Sequence, residues 1–373
     1  MESIYRNLPI EEAGMRLGRM ERLQEMAQPL CQWFLEEHRD LPWRRDVTPY
    51  KVWVSEIMLQ QTRVEAVKPY FTRFLEALPN MQALAEAPEE QLLKLWEGLG
   101  YYSRVRNMQA AARQCMELYG GELPAEYEEL LTLKGIGTYT AGAIASIAYG
   151  KPVPAVDGNV LRVAARVTAD REDIGAPAKK KQVEGELKQV MEREQIAPGV
   201  FNQSLMELGA MVCVPNGAPK CDSCPLYSLC LSRIHQYTDS IPYKAPKKPR
   251  RMEERTIFLI QAEDRYLIRK RPGKGLLAGM YEFPSAHGYL SEEEVVGCLE
   301  QFGIHSEETE VKSVKELGAA RHIFTHIQWE MRGCRIVLTH MPEHADGVWV
   351  TVQELEEQYS LPSAFRAYKK QLC

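Results

Sequence analysis

Apolar residues recur at helical spacing in residues 26–34, 53–64, 70–78, 92–96, 141–148 and 201–212. Short breaks marked by Leu41-Pro42, Leu78-Pro79, Leu123-Pro124 and Lys151-Pro152 separate these runs. Strand signals are nearly absent over 21–235, so this stretch is expected to be all-α. The pattern then changes. Residues 236–253 hold three prolines, and five basic residues crowd the end of the stretch from Lys244 to Arg251. A segment so poor in apolar surface reads as a linker. Beyond it, 256–260 and 266–269 predict two strands around a polar turn, 328–330 and 335–339 a second hairpin, and 348–350 a further strand. Residues 291–302 predict a helix with Ser291 as N-cap ahead of acidic residues. The expected organisation is an N-terminal extension over 1–20, a helical domain over 21–235, a linker over 236–253 and an α+β domain over 254–373.

The length, 373 residues, predicts two domains or three. A composition of 45% hydrophobic and 26% charged residues excludes a mainly disordered or fibrous protein. No run of about 18 apolar residues predicts a membrane span. The first twenty residues mix acids and bases and do not read as a secretion signal. The net charge of −5 argues against a basic footprint over the whole protein, but leaves room for a local one.

Four features carry candidate chemistry. Cys213, Cys221, Cys224 and Cys230 lie within one short segment. Four soft thiolates there suit either a structural zinc ion or a [4Fe–4S] cluster, and the spacing leaves both open. Second, Leu133-Lys134-Gly135-Ile136-Gly137-Thr138 sits between two helical runs. Its glycines let backbone N–H groups approach a ligand, and the helix that follows favours a phosphate; an ordinary helix–helix turn has the same signature. Third, Glu56 lies in the apolar run Val52-Trp53-Val54-Ser55-Glu56-Ile57-Met58-Leu59. A desolvated glutamate has a raised pKa and serves as a general acid, although a surface-facing glutamate fits the same pattern. Fourth, Asp157 in Ala155-Val156-Asp157-Gly158-Asn159-Val160 reads as a helix N-cap. One raised and one ionised carboxylate form the pair used to break glycosidic bonds.

The Gly-Ile-Gly turn, an aspartate about twenty residues later and the four-cysteine segment together resemble the helix-hairpin-helix DNA glycosylases of the endonuclease III superfamily. Within it, Leu41-Pro42-Trp43-Arg44, the run from Val52 to Thr62, Glu97-Gly98-Leu99-Gly100-Tyr101-Tyr102-Ser103-Arg104 and the Asp157 string are similar to the MutY-type adenine DNA glycosylases. The similarity covers about 25–235 and continues more loosely to the end. It implies a multidomain protein with an all-α glycosylase domain, a [4Fe–4S] cluster on the four cysteines, and an α+β Nudix-like C-terminal domain. The implied partner is double-stranded DNA with adenine opposite 8-oxoguanine or guanine. The resemblance also implies a monomer without membrane association, cytoplasmic and nucleoid-associated.

By the same strings, Glu56 protonates adenine N7, Asp157 stabilises the oxocarbenium-like sugar, Tyr139 assists at that intermediate, and Asn159 positions the catalytic groups. Trp43, Arg44, Leu59 and Gln203 map to the adenine pocket. Gln61, Thr62, Leu99 and Tyr101 map to contacts with the opposite strand, Lys134, Gly135 and Gly137 to the DNA backbone, and Phe324, Thr325 and His326 to 8-oxoguanine recognition. Bifunctional relatives carry a lysine where Tyr139 stands, so the resemblance implies base removal with little strand cleavage; an endonuclease III-type glycosylase/lyase is the alternative. A non-enzymatic DNA-binding iron–sulfur protein would lack Glu56 or Asp157. The C-terminal domain lacks the acidic Nudix helix Arg-Glu-x-x-x-Glu-Glu, so no pyrophosphate hydrolysis is expected. Two departures stand out. The first cysteine gap is one residue longer than usual in the family, and Thr325 replaces a frequent serine.

Overall fold

The computed structural model describes residues 17–246 and 249–372. Most of the expected N-terminal extension, residues 1–16, lies outside the described residues, as do Lys247 and Lys248 of the expected linker. The chain divides into two compact units. The first runs to Glu86 and resumes at Asn107–Pro246; the second joins Ala87–Arg106 to the C-terminal residues from 247 onward.

The helices are α1 (Arg19–Glu25), α2 (Ala27–Glu37), α3 (Pro42–Arg45), α4 (Pro49–Leu59), α5 (Val64–Ala77), α6 (Met81–Glu86), α7 (Glu89–Leu95), α8 (Ser103–Leu118), α9 (Tyr127–Thr132), α10 (Thr138–Ile147), α11 (Gly158–Val167), α12 (Pro177–Arg193), α13 (Pro198–Met211) and α14 (Leu231–Ile234). Helix α7 and the first turn of α8 belong to the second unit. Helix α4 starts where Thr48 Oγ1 accepts from Lys51 N and Pro49 takes the first helical turn. The apolar run 53–64 is not one helix. Gln61 has φ 60°, which ends α4 and lets α5 begin on a new axis. One helical core gathers Leu30, Val160, Val163, Leu187, Phe201 and Leu205. Glycines admit the closest approaches: a Cβ on Gly142 would stand 2.3 Å from the Pro154 carbonyl oxygen, and one on Gly209 2.6 Å from Asn159 Cβ. Residues up to Pro246 belong to this unit. Ile241 is buried in its core, and its carbonyl accepts from Arg166 Nε at 2.7 Å.

In the second unit a seven-stranded sheet contains β1 (Arg251–Ala262), β2 (Arg265–Lys270), β3 (Tyr281–Glu282), β4 (Ser285–His287), β5 (Val311–Ile323), β6 (Ile327–Leu338) and β7 (Val348–Val350). The main order is β3-β2-β1-β6-β5, with β1 and β6 parallel in the register Arg251↔Ile327 to Gln261↔Val337. The hairpin expected within 328–339 is a single strand, β6, and its partner is β5. Gly333 lies between the two expected strands, inside β6. A Cβ there would lie 2.3 Å from Tyr368 Cε1, so the glycine makes room for a buried ring inside a strand. Strand β5 escaped the pattern because none of its residues is fully buried, so no alternation marks it. Ser291 caps a short helix, α15 (Glu292–Gly297), in a capping box with Glu294.

Candidate active site

One cavity of about 400 Å³ in the first unit gathers Trp43, Arg44, Glu56, Leu59, Gln61, Thr62, Tyr139, Asp157, Asn159 and Gln203. These come from α3, α4 and its exit, α10, the N-terminus of α11, and α13.

Glu56 is 7% exposed. Burial, reinforced by the Asp157 charge, outweighs the Tyr139 hydrogen bond and raises its pKa to about 7. The Tyr139 hydroxyl donates to Glu56 Oε2 at 2.6 Å. Burial and the two carboxylates push this phenol well above 10, so it stays a neutral donor. Asp157 caps α11. Its Oδ1 accepts from the backbone N–H groups of Asn159 and Val160 at 2.8 and 2.9 Å, and its Oδ2 accepts from Asn159 Nδ2 at 2.8 Å. Asn159 is held in turn by Arg162, whose Nη2 donates to Asn159 Oδ1 and to the Gly209 carbonyl, both at 2.8 Å. Arg162 Nε donates to the Cys213 carbonyl at 2.8 Å. A continuous polar chain therefore joins the cysteine segment to Asp157.

Sequence reasoning missed Glu207, Arg39 and Met206 in this cavity. Glu207 is 1% exposed, yet it is strongly acidic. Burial pushes its pKa up, but hydrogen bonds from Arg39 (Nε, 2.7 Å) and Arg44 (Nη2, 3.0 Å) more than offset that and hold it at about 2. The signal was available: Leu205-Met206-Glu207-Leu208 sets a carboxylate in an apolar run as the Glu56 segment does. One cavity thus holds a glutamate poised to carry a proton and another locked as an anion.

The Lys134-Gly135-Ile136-Gly137 turn leads into α10, with Lys134, Gly135 and Gly137 exposed. Gly135 has φ 78°, and a Cβ there would stand 2.6 Å from Asn107 Cβ, so the turn demands glycine. Gly137 has open space around its Cα, where a ligand can approach the backbone.

The second unit brings Leu99 and Tyr101 together with Phe324, Thr325 and His326 around a cavity of about 510 Å³. The Tyr101 hydroxyl lies 3.2 Å from Thr325 Oγ1. Tyr101 is 50% exposed and Leu99 7% exposed, and both line the cavity.

Cys213, Cys221, Cys224 and Cys230 line a single cavity with Arg166, whose Nη1 lies 3.3 Å from Cys213 Sγ. Among the described residues no three His, Cys, Asp or Glu side chains converge tightly enough for one metal ion. No described helix is long and apolar enough to cross a membrane.

Residues 54–193 match the HhH-GPD superfamily of base excision DNA repair proteins, and residues 256–371 match the NUDIX domain. The adenine DNA glycosylase of Homo sapiens is 34% identical over 406 residues, covering 92% of this chain and 73% of that protein. The adenine DNA glycosylase of Buchnera aphidicola (subsp. Acyrthosiphon pisum) is 31% identical, covering 85% and 88%. Among solved structures, a thermostable thymine-DNA glycosylase superposes with TM-score 0.50 at 25% identity, over 57% of this chain and 97% of that one. An endonuclease III–DNA complex shares the fold with TM-score 0.50 at 24% identity, over 59% and 99%.

Proposed function

This chain belongs to the adenine DNA glycosylase family and removes adenine from DNA in base excision repair; from that premise we propose that it hydrolyses the N-glycosidic bond without cutting the strand, at adenine opposite 8-oxoguanine or guanine. The observation that carries this is the contact of Tyr139 with Glu56 in the cavity that also holds Asp157. A lyase needs an amine at the sugar. The phenol supplies none, and it is already engaged with the acid.

Adenine enters the cavity flipped out of the duplex. Trp43, Arg44, Leu59 and Gln203 surround it. Glu56, with its pKa raised to about 7, keeps a substantial protonated fraction at neutral pH, and that form delivers its proton to adenine N7. Tyr139 donates to Oε2, which leaves Oε1 to carry the acid proton. The Asp157 carboxylate, fixed by three donors, meets the positive charge that develops on the sugar. Asn159 keeps that carboxylate oriented, Tyr139 steadies the intermediate, and water completes the hydrolysis. Glu207 holds Arg39 and Arg44 at the cavity wall.

Gly135 and Gly137 offer backbone donors to a phosphate, and Lys134, whose own backbone N–H donates to Gln114 Oε1, offers its side-chain charge. Gln61, Thr62, Leu99 and Tyr101 contact the opposite strand, and Phe324, Thr325 and His326 recognise the oxidised base there. Cys213, Cys221, Cys224 and Cys230 fit a [4Fe–4S] cluster. All four line one small cavity, and four soft thiolates would hold such a cluster there. Such a cluster supplies a structural tie for the segment that reaches Arg162.

The test is a single-turnover assay on labelled duplexes with adenine opposite 8-oxoguanine, guanine or thymine, each with and without alkali. Breakage only after alkali, opposite 8-oxoguanine or guanine, is the expected result. Nicking without alkali would move the reading to a bifunctional enzyme.

A further inference from the structure

The segment 96–104 holds a turn that its own residues clamp with unusual completeness. Gly98, Gly100 and Tyr101 have φ of 100°, 71° and 48°. The left-handed region is unfavourable for a tyrosine, so neighbours must impose it. Arg104 is 9% exposed and does so from below. Its Nη2 donates to the carbonyls of Leu99 and Gly100 at 3.0 and 2.9 Å. The Gly100 carbonyl takes a second hydrogen bond from Trp96 Nε1 at 3.1 Å. The guanidinium carbon lies 5.2 Å from the Trp96 ring centre and 5.6 Å from that of Tyr101. The Tyr101 hydroxyl then stands beside Thr325.

We propose that Arg104 is a positioning residue: by holding the carbonyls of Leu99 and Gly100 and packing against the Tyr101 ring, it keeps the 98–101 turn in the shape that presents Tyr101 to the strand opposite adenine. The inference rests on reading Leu99 and Tyr101 as opposite-strand contacts. A planar guanidinium reaches two carbonyls and two rings at once, and an ammonium does not. A pre-shaped turn also avoids ordering the loop on binding.

The test uses the whole protein and two duplexes. One carries a non-cleavable adenine analogue opposite 8-oxoguanine with 2-aminopurine beside the oxidised base; the other pairs the analogue with thymine. Losing two charge-assisted hydrogen bonds is expected to make Arg104→Met bind the mispair about tenfold more weakly, with less than about threefold change on the matched duplex. The 2-aminopurine change that reports an inserted ring is lost, and the defect falls on binding more than on the saturating single-turnover rate. Arg104→Lys lies in between. Tyr101→Ala is the control for the reading beneath the proposal. Loss in both Arg104→Met and Tyr101→Ala supports the proposal. Wild-type behaviour of Arg104→Met with loss in Tyr101→Ala overturns the role of Arg104 alone. Wild-type behaviour of Tyr101→Ala overturns the loop reading and the proposal with it. If Arg104→Met does not fold, Arg104→Lys decides: weakened mispair binding supports the proposal, and unchanged binding overturns it.

Discussion

Glu56 and Glu207 show how much a single residue's surroundings decide. Both are buried glutamates lining one cavity, but Glu56 faces a phenol and a nearby carboxylate, whereas Glu207 faces two guanidinium groups. Glu56→Gln should keep duplex binding and lower base removal by about 10²–10⁴-fold in a single-turnover assay, the worth of a general acid. For the wild-type protein, the rate should fall as pH rises through about 7, because the acid form is lost there. Stability has the same sign. A folded-state pKa raised from 4.5 to about 7 gives a contribution present at low pH and lost as pH rises through 7. Glu56→Gln should therefore melt above the wild type at pH 8, and this advantage should shrink as pH falls below 7 and vanish only below the unfolded value of 4.5. Tyr139→Lys tests the same cavity from the other side. It should yield a DNA adduct trapped by borohydride, and no adduct would count against the placing of residue 139 at the sugar.

At the scale of elements, α11 is the piece that joins chemistry to scaffold. Its N-terminus carries Asp157, its first turns carry Asn159 and Arg162, and Arg162 reaches the Cys213 carbonyl. Helix α13 crosses it at Gly209, where even a methyl group would collide with Asn159. Gly209→Ala should displace Asn159, loosen its bond to Asp157 and lower the saturating single-turnover rate about tenfold or more. Gly185→Ala, in the middle of α12 with nothing within 4 Å of the added Cβ, should leave that rate unchanged. The expected linker also changes meaning at this scale. Its proline-rich composition was legible, but Ile241 sits in a buried core and strand β1 already begins at Arg251. Composition reports what a segment can bury alone, and it says nothing of a neighbour that buries it.

For the whole molecule, the net charge of −5 means that DNA is met by local features and not by an overall field. The exposed Lys134 at the Gly135–Gly137 turn is the one proposed above. Lys134→Ala should weaken matched and mispaired duplexes alike and reduce the salt dependence of log Kd by about one unit of slope, as for one lost phosphate contact. Unequal loss on the two duplexes would argue against a phosphate role. The division into two units carries its own information. Residues Ala87–Arg106 count with the C-terminal unit, so Tyr101 shares a compact body with Thr325 although 224 positions separate them.

The sequence by itself determined the order of all-α and α+β parts, the cysteine set, and the residues of both cavities that belong to long matching strings. Periodicity and residue type encode these locally, and a helix needs only its own apolar face and caps to be read. Tertiary structure alone decided the rest. It decided that Glu56 turns inward, because a helix buried on nearly every side has no solvent face to offer. It set Glu207 at about 2 by bringing Arg39 and Arg44 from far along the chain. It made Gly333 a strand residue by packing Tyr368 against it, and gave Arg104 its grip on the 98–101 turn. In each case the deciding energy comes from a neighbour whose identity the local pattern does not contain.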